Sequence, residues 1–184
     1  MQPKSFSIRK LVKGDLFPGL LRHFDRYQQV TRCWRKQNGR WVLRDIAFIE
    51  QWSEGEKEDI VSDIFAPAIR GGGAVYGGFR LDGTLAGYAV VLPERFGSRR
   101  QYLQLKELYV SNECRQMGLG RALFEQAASF AKKQGAQKLY ISAHSAAETQ
   151  AFYRALGCTE AEEYSQALAA LEPCDCQLEF DLYR

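Results

Sequence analysis

The chain has 184 residues, 46% apolar and 26% charged, which is ordinary globular composition and, at this length, enough for one domain with a sizeable core. A net charge of +3 suits a polyanionic small ligand without demanding nucleic acid or membrane. No run of about 18 apolar residues exists to span a bilayer, and residues 1–6 lack the apolar core of a signal peptide, so a cytoplasmic protein is expected. Cys33, Cys114, Cys158, Cys174 and Cys176 are odd in number and lack C-x-x-C spacing. With only His23 and His144 beside them, they read as free thiols, and no metal site is expected.

Residues 6–9 alternate as a short strand. Leu16, Leu20, Leu21 and Phe24 fall at helical spacing and predict a first helix over 15–24, with Pro18 tolerated in its first turn. Two strand-like runs, 28–35 and 41–48, surround Asn38-Gly39, a strong hairpin signal. Ser53 and Glu56 fit a capping box, opening a helix through Ile60, Ile64 and Ala68 that ends near Gly71-Gly72-Gly73. A second hairpin, 74–80 and 84–92, turns at Asp82-Gly83 and closes at Pro93; residues 94–101 then make a polar loop.

The stretch 105–124 organises the rest. Leu103, Leu105, Leu108 and Val110 are strand residues whose alternation slips by one, which predicts a β-bulge near 106–108 and backbone groups free to bond a ligand. Gly118 and Gly120 follow, where Leu119, Ala122, Leu123, Ala127, Phe130 and Ala131 begin a helical stripe that ends at Gly135. Glycines at a helix N-terminus let an anion approach free amides, Arg115 and Arg121 flank them, and the simplest ligand is a phosphate or pyrophosphate. Such Gly-x-Gly pairs also cap ordinary helices. The pattern is neither the three-glycine dinucleotide fingerprint, since position 123 is Leu, nor a P-loop, since no Gly-Lys-Ser/Thr follows.

Residues 139–143 read as a strand. Ser145 and Glu148 fit another capping box, opening a helix that runs to Leu156 and stops at Gly157, and 161–166 and 177–183 read as two last strands. Hairpins plus one strand-helix-strand unit imply one central sheet, mostly antiparallel, with a parallel step across the long helix.

Arg115-Gln116-Met117-Gly118-Leu119-Gly120, preceded by Glu107-Leu108-Tyr109-Val110, resembles the acyl-CoA-binding motif Arg/Gln-x-x-Gly-x-Gly/Ala of the GCN5-related N-acetyltransferase (GNAT) superfamily. The likeness continues through 138–143 and the helix 151–158, covering about residues 75–160. It implies an α/β (mixed α+β) GNAT fold: a six- or seven-stranded, mostly antiparallel sheet, a splayed parallel strand pair and flanking helices. The implied chain is one acyl-CoA N-acyltransferase domain over 1–184, with the hairpin at 28–48 inserted on the acceptor side, where Trp34 and Trp41 either shape the amine pocket or cover the core.

The implied activity is transfer of an acetyl group from the cosubstrate acetyl-CoA to a primary amine by direct attack on the thioester. The cofactor contacts fall on Leu108, Tyr109, Val110, Arg115, Gln116, Met117, Gly118, Leu119, Gly120, Arg121, Ser145 and Phe152. Glu107 is the candidate base, acting directly or through water, with a surface carboxylate paired to Lys106 or an arginine as its bland alternative; Tyr153 is the candidate general acid. The chain departs from the pattern at Ala146, where the family's Asn is expected, and at Cys158 and Cys114. The alternatives are a catalytically silent acyl-CoA-binding sensor or interaction module, and a nucleic-acid binder, which the scattered basic residues disfavour. The acceptor is open between small amines, antibiotics, polyamines and protein amines, with Glu50, Asp45 and Asp25 as residues that attract a cation; a homodimer is also open.

Overall fold

The computed structural model of the protein describes residues 6–183; apart from Phe6, the stretch read for a leader lies outside them. In chain order the elements are β1 (Ser7–Lys10), β2 (Gln28–Gln37), β3 (Arg40–Glu50), α1 (Glu54–Asp59), α2 (Ala66–Arg70), β4 (Ala74–Phe79), β5 (Leu85–Val91), β6 (Tyr102–Val110), α3 (Leu119–Lys133), β7 (Lys138–Ala143), α4 (Ala147–Leu156), β8 (Thr159–Glu160), α5 (Gln166–Leu171) and β9 (Cys176–Asp181). A wider π turn over Ile60–Phe65 joins α1 to α2. Seven strands make one sheet in the order β1-β4-β5-β6-β7-β9-β8, while β2 and β3 pair with each other. Every neighbouring pair is antiparallel except β6 and β7, which run parallel and pair only over residues 102–104 with 138–140. Beyond those three rungs the two strands part.

The sheet is covered on both faces. On one, Leu103, Leu105, Leu139 and Ile141 pack against the stripe Leu123, Phe124, Ala127 and Ala131 of α3. On the other, Tyr88 and Val90 pack against Ile60, Phe65, Leu21 and Phe24. The bulge expected from the slipped alternation is present: Val90 faces Glu107 and Val91 faces Leu105, so Lys106 is the inserted residue. Its consequence is chemical. Leu108 and Val110 stay on the α3 face, whereas Glu107 and Tyr109 turn to the opposite one.

α3 is seated by a glycine slot. Gly78 on β4 and Gly87 on β5 stand opposite each other, and a Cβ added there would lie 2.6 Å and 3.0 Å from the side chain of Leu119. Only glycines leave room for that leucine, so the slot fixes where the first turn of α3 begins.

Three sequence expectations need correction. No α-helix forms over 15–24. Lys13–Asp15 make one 3-10 turn, and the amides of Leu20, Arg22 and Phe24 reach back three residues in successive turns around Gly19, whose φ is +86°. Leu21 and Phe24 are nonetheless buried, so their spacing reported burial rather than a helix. Ser145 does not cap α4. Ala146 is the N-cap without a side-chain bond, and Ser145 Oγ accepts from Arg35 at 2.7 Å. Residues 161–166 are not a strand: β8 lies two residues earlier, and 166–171 form α5. Here the buried Gln177 accepts the Ser165 N–H at 2.6 Å while Ser165 Oγ accepts the Leu168 N–H at 3.3 Å, which turns the chain into a helix.

Candidate active site

Where β6 and β7 part, a cleft of about 940 Å³ opens, walled by residues 105–110 of β6 and 141–144 at the end of β7, and reaching to the start of α3 and to α4. Past residue 104, the β6 edge facing β7 has no ladder partner, so its amides and carbonyls look into the cleft.

One end of the cleft is an amide cradle. Gln116 (φ +61°) and Gly118 (φ +84°) are left-handed, the backbone conformation from which anion-binding turns are built. None of the six amides of residues 116–121 donates to an oxygen of the described residues; the first helical bond is Ala122 N–H to Gly118 O at 3.1 Å. A Cβ on Gly118 would meet nothing within 4 Å, so the turn is open, and one on Gly120 would lie 3.3 Å from the Phe152 ring. Arg121 lines the same end and donates to Ala155 O at 3.4 Å. Arg115 also lines it, but its guanidinium ties the end of β6 to the front of the chain, donating to Val110 O at 3.2 Å and Arg26 O at 3.4 Å. Burial and the nearby Arg26 charge lower its pKa.

Glu107 and Tyr153 both line the cleft. Burial raises the Glu107 pKa above the ordinary carboxylate value, against the opposing effects of the Tyr88 hydroxyl, which donates to its Oε2 at 2.9 Å, and of Lys106. Glu107 is thus half-buried and bonded to Tyr88, with the Lys106 charge close enough to act on it. Tyr153 is packed between Phe124 and Phe152, with ring centroids 6.3 Å and 5.1 Å away. Its hydroxyl donates to no described residue, and burial pushes its pKa well up, so it is held as the phenol. Tyr109 is pushed up to about 12 by burial, against the Arg26 charge.

Of the other sequence candidates, Leu108, Tyr109, Val110, Gln116, Gly118, Gly120 and Phe152 line the cleft, whereas the side chains of Met117, Leu119 and Ser145 do not. Leu119 fills the glycine slot, and Ser145 is buried under the hairpin. Asp45 is exposed on β3, and Asp25 is engaged with the Tyr27 amide at 2.9 Å and Asn112 at 3.2 Å.

On the far side of the cleft, sequence reading named Glu50 but missed its partner Arg26. Arg26, only 6% exposed, lies over the Tyr109 ring at 4.8 Å and pairs with Glu50. His144 lies 3.3 Å from the other Glu50 oxygen. Asp175, beside them, accepts from Ser142 Oγ at 2.9 Å, and its pKa is raised by burial. Arg26 sits in no motif, and only the hairpin brings Glu50 back to it. Among the described residues no group of three or more His, Cys, Asp or Glu is arranged to hold a metal ion, and no helix is long and apolar enough to cross a membrane.

Comparison with solved structures finds the same architecture. Nourseothricin acetyltransferase superposes with a TM-score of 0.68 at 19% identity, over 96% of this chain and 98% of that one. A protein from Bacillus anthracis str. Ames described as a streptothricin acetyltransferase, solved in complex with acetyl coenzyme A, gives 0.69 at 17%, over 95% and 96%. The GNAT family N-acetyltransferase YhbS from Escherichia coli, solved with CoA, gives 0.58 at 16%, over 96% and 81%. At such identities the likeness is one of fold. No curated protein sequence matches the chain. Its own sequence matches the acetyltransferase (GNAT) family over residues 27–158, well over half its length, a stretch that includes the bulged β6, its parted neighbour β7 and the glycine-turned start of α3: the chain belongs to the GNAT family of acetyltransferases.

Proposed function

We propose that this protein is an N-acetyltransferase that moves an acetyl group from acetyl-CoA to a primary amine by direct attack on the thioester. The observation that carries the reading is that one cleft joins six amides without a partner among the described residues, fit for a pyrophosphate, to an unpaired strand edge and a half-buried carboxylate. The relatives of like fold solved with acetyl-CoA or CoA support the choice of donor.

In this reading the residues 116–121 hold the pyrophosphate, and the β6 edge at Leu108 and Val110 bonds the extended arm of the donor. An acceptor amine must be neutral to attack. Glu107, whose pKa burial raises so that its carboxylate is a stronger base than an ordinary one, removes the amine proton directly or through water. The amine nitrogen bonds the carbonyl carbon, and a backbone N–H of the bulged strand near Leu108 or Tyr109 stabilises the oxyanion. When the C–S bond breaks, Tyr153 protonates the departing thiolate, and burial keeps that phenol loaded.

The test is in two steps. Acetyl-CoA and CoA should raise the melting temperature in a concentration-dependent way. Free thiol should then appear when acetyl-CoA is mixed with at least one of spermidine, lysine, a peptide with a free N-terminus, or streptothricin. Thermal stabilisation without thiol release from this panel would favour a binding module over an enzyme.

A further inference from the structure

The two-stranded hairpin of β2 and β3 is held to the rest of the fold at Ser145 and Ala146, through Trp34, Arg35 and Cys33, and at Glu160, through Lys36 and Trp41, and one further attachment crosses the cleft. Arg26, just before β2, donates to Gln28 Oε1 at 3.0 Å and to Glu50 Oε2, the last residue of β3. Its guanidinium lies between the Tyr109 ring (4.8 Å) and the Trp52 ring (5.5 Å). Glu50 Oε1 lies 3.3 Å from His144 Nε2. His144 Nδ1 accepts the Ala146 N–H at 3.1 Å, so the proton of the neutral ring sits on Nε2, facing Glu50. The Phe48 ring meets the imidazole edge-on at 5.7 Å. A continuous chain of contacts thus runs from Tyr109 on β6, through Arg26 and Glu50, to His144 at the end of β7, and on to the amide of Ala146, the N-cap of α4, which carries Tyr153.

That chain spans the gap where β6 and β7 share no hydrogen bonds, on the face to which the bulge turns Glu107 and Tyr109. Arg26 and His144 both line the cleft, and Glu50 joins them from behind. Burying an arginine is expensive unless a carboxylate compensates it, and a hydrophobic pair of the same size would tie the hairpin down at least as well. Among the described residues Arg26 Nε has no hydrogen-bond partner, so the arrangement is not optimised for stability. A charged tie kept there, over the mouth of the reaction cleft, fixes geometry.

We propose that Glu50 is a positioning residue for the amine: by holding Arg26 and His144 across the parted strands it sets the width and the wall of the path by which an acceptor reaches Glu107. The inference rests on the acetyltransferase reading above. Glu50 lines no part of the cleft itself and acts through the two side chains that do, while the cradle amides belong to residues 116–121, beyond Arg115, which donates to Arg26 O at 3.4 Å.

The experiment compares wild type, Glu50→Gln, and the double variant Arg26→Met with Glu50→Leu, which replaces the ion pair by an apolar pair. Thiol release is followed with spermidine, a peptide N-terminus and streptothricin, and acetyl-CoA binding and melting temperature are measured alongside. Glu50→Gln should keep the acetyl-CoA dissociation constant within about twofold while kcat/KM for the amine falls about tenfold or more, mostly through KM. The double variant should recover the melting temperature but not the amine kinetics. The proposal is overturned if Glu50→Gln acetylates amines like wild type, if acetyl-CoA affinity falls in parallel, or if the apolar pair restores kcat/KM. A wild-type protein that acetylates none of the three amines contradicts the acetyltransferase reading itself, which is a different result from an unaffected Glu50→Gln.

Discussion

Tyr88 and Glu107 stand on neighbouring strands with the tyrosine hydroxyl 2.9 Å from Glu107 Oε2, and that bond is the only one the carboxylate makes to the described residues. Burial drives the Glu107 pKa up and the Tyr88 bond restrains it. A carboxyl whose pKa is raised on folding makes the folded state less stable at pH values above that raised pKa. The cost disappears as pH falls below the unfolded value of about 4.3. Glu107→Gln, which can still accept from Tyr88, should therefore melt higher than wild type at neutral pH, with the difference closing below about pH 4. Its kcat/KM for the amine should fall by about 10²–10⁴-fold. Calorimetry across pH and thiol-release kinetics check both halves; a variant that melts lower at pH 7 and keeps its activity contradicts the assignment.

Tyr88→Phe removes the bond that favours the carboxylate form. The acid limb of the kcat/KM profile should move to higher pH, since an unrestrained Glu107 is protonated further up the scale. An unmoved profile would mean that some other group sets the limb.

Tyr153→Phe keeps the ring packed against Phe124 and Phe152 and removes only the hydroxyl. Acetyl-CoA affinity should be unchanged within about twofold while kcat falls by about 10²-fold. Equal kcat in the two proteins would assign the proton of the leaving thiolate to water.

Gly78→Ala places a methyl 2.6 Å from Leu119 Cδ1. It should cost about 1–3 kcal/mol of stability, as overpacking does. It should also weaken the acetyl-CoA-induced thermal shift, because the first turn of α3 must move with Leu119. Chemical denaturation with and without acetyl-CoA separates the two effects, and a variant of lower stability but undiminished shift would uncouple the slot from the cradle.

The bulge, the second hairpin and the glycine turn were legible because each rests on neighbours in sequence: a slipped alternation, Asp82-Gly83, Gly118-x-Gly120. The glycine slot was not, since Gly78, Gly87 and Leu119 look unrelated until the sheet pairs the first two. Leu16 to Phe24 has helical spacing, yet Pro18-Gly19 breaks it, and local backbone preference overrode periodicity. At Ser145 the capping pattern lost to a long-range competitor, Arg35 of the hairpin. The same hairpin explains Ala146, where the family's asparagine is missing. Ala146 is fully buried against Val30 and Cys33 and bridges to Cys33, so an asparagine would have no space and no solvent. On the far side of the cleft Glu50 was legible only as a carboxylate of the front region; its pairing with Arg26 and its approach to His144 are made by tertiary contacts and left no mark in the chain.

The central claim is that the amides of residues 116–121 and the parted edge of β6 hold acetyl-CoA, and titration calorimetry of acetyl-CoA into wild type and Gly120→Glu tests it most directly. A side chain at 120 would point at Phe152, 3.3 Å from its Cβ, and its carboxylate would bring a negative charge to the cradle. The account predicts one saturable site in the wild type and no measurable binding to a Gly120→Glu protein that remains folded by circular dichroism. Equal affinity in the two proteins, or no binding by the wild type, would contradict it.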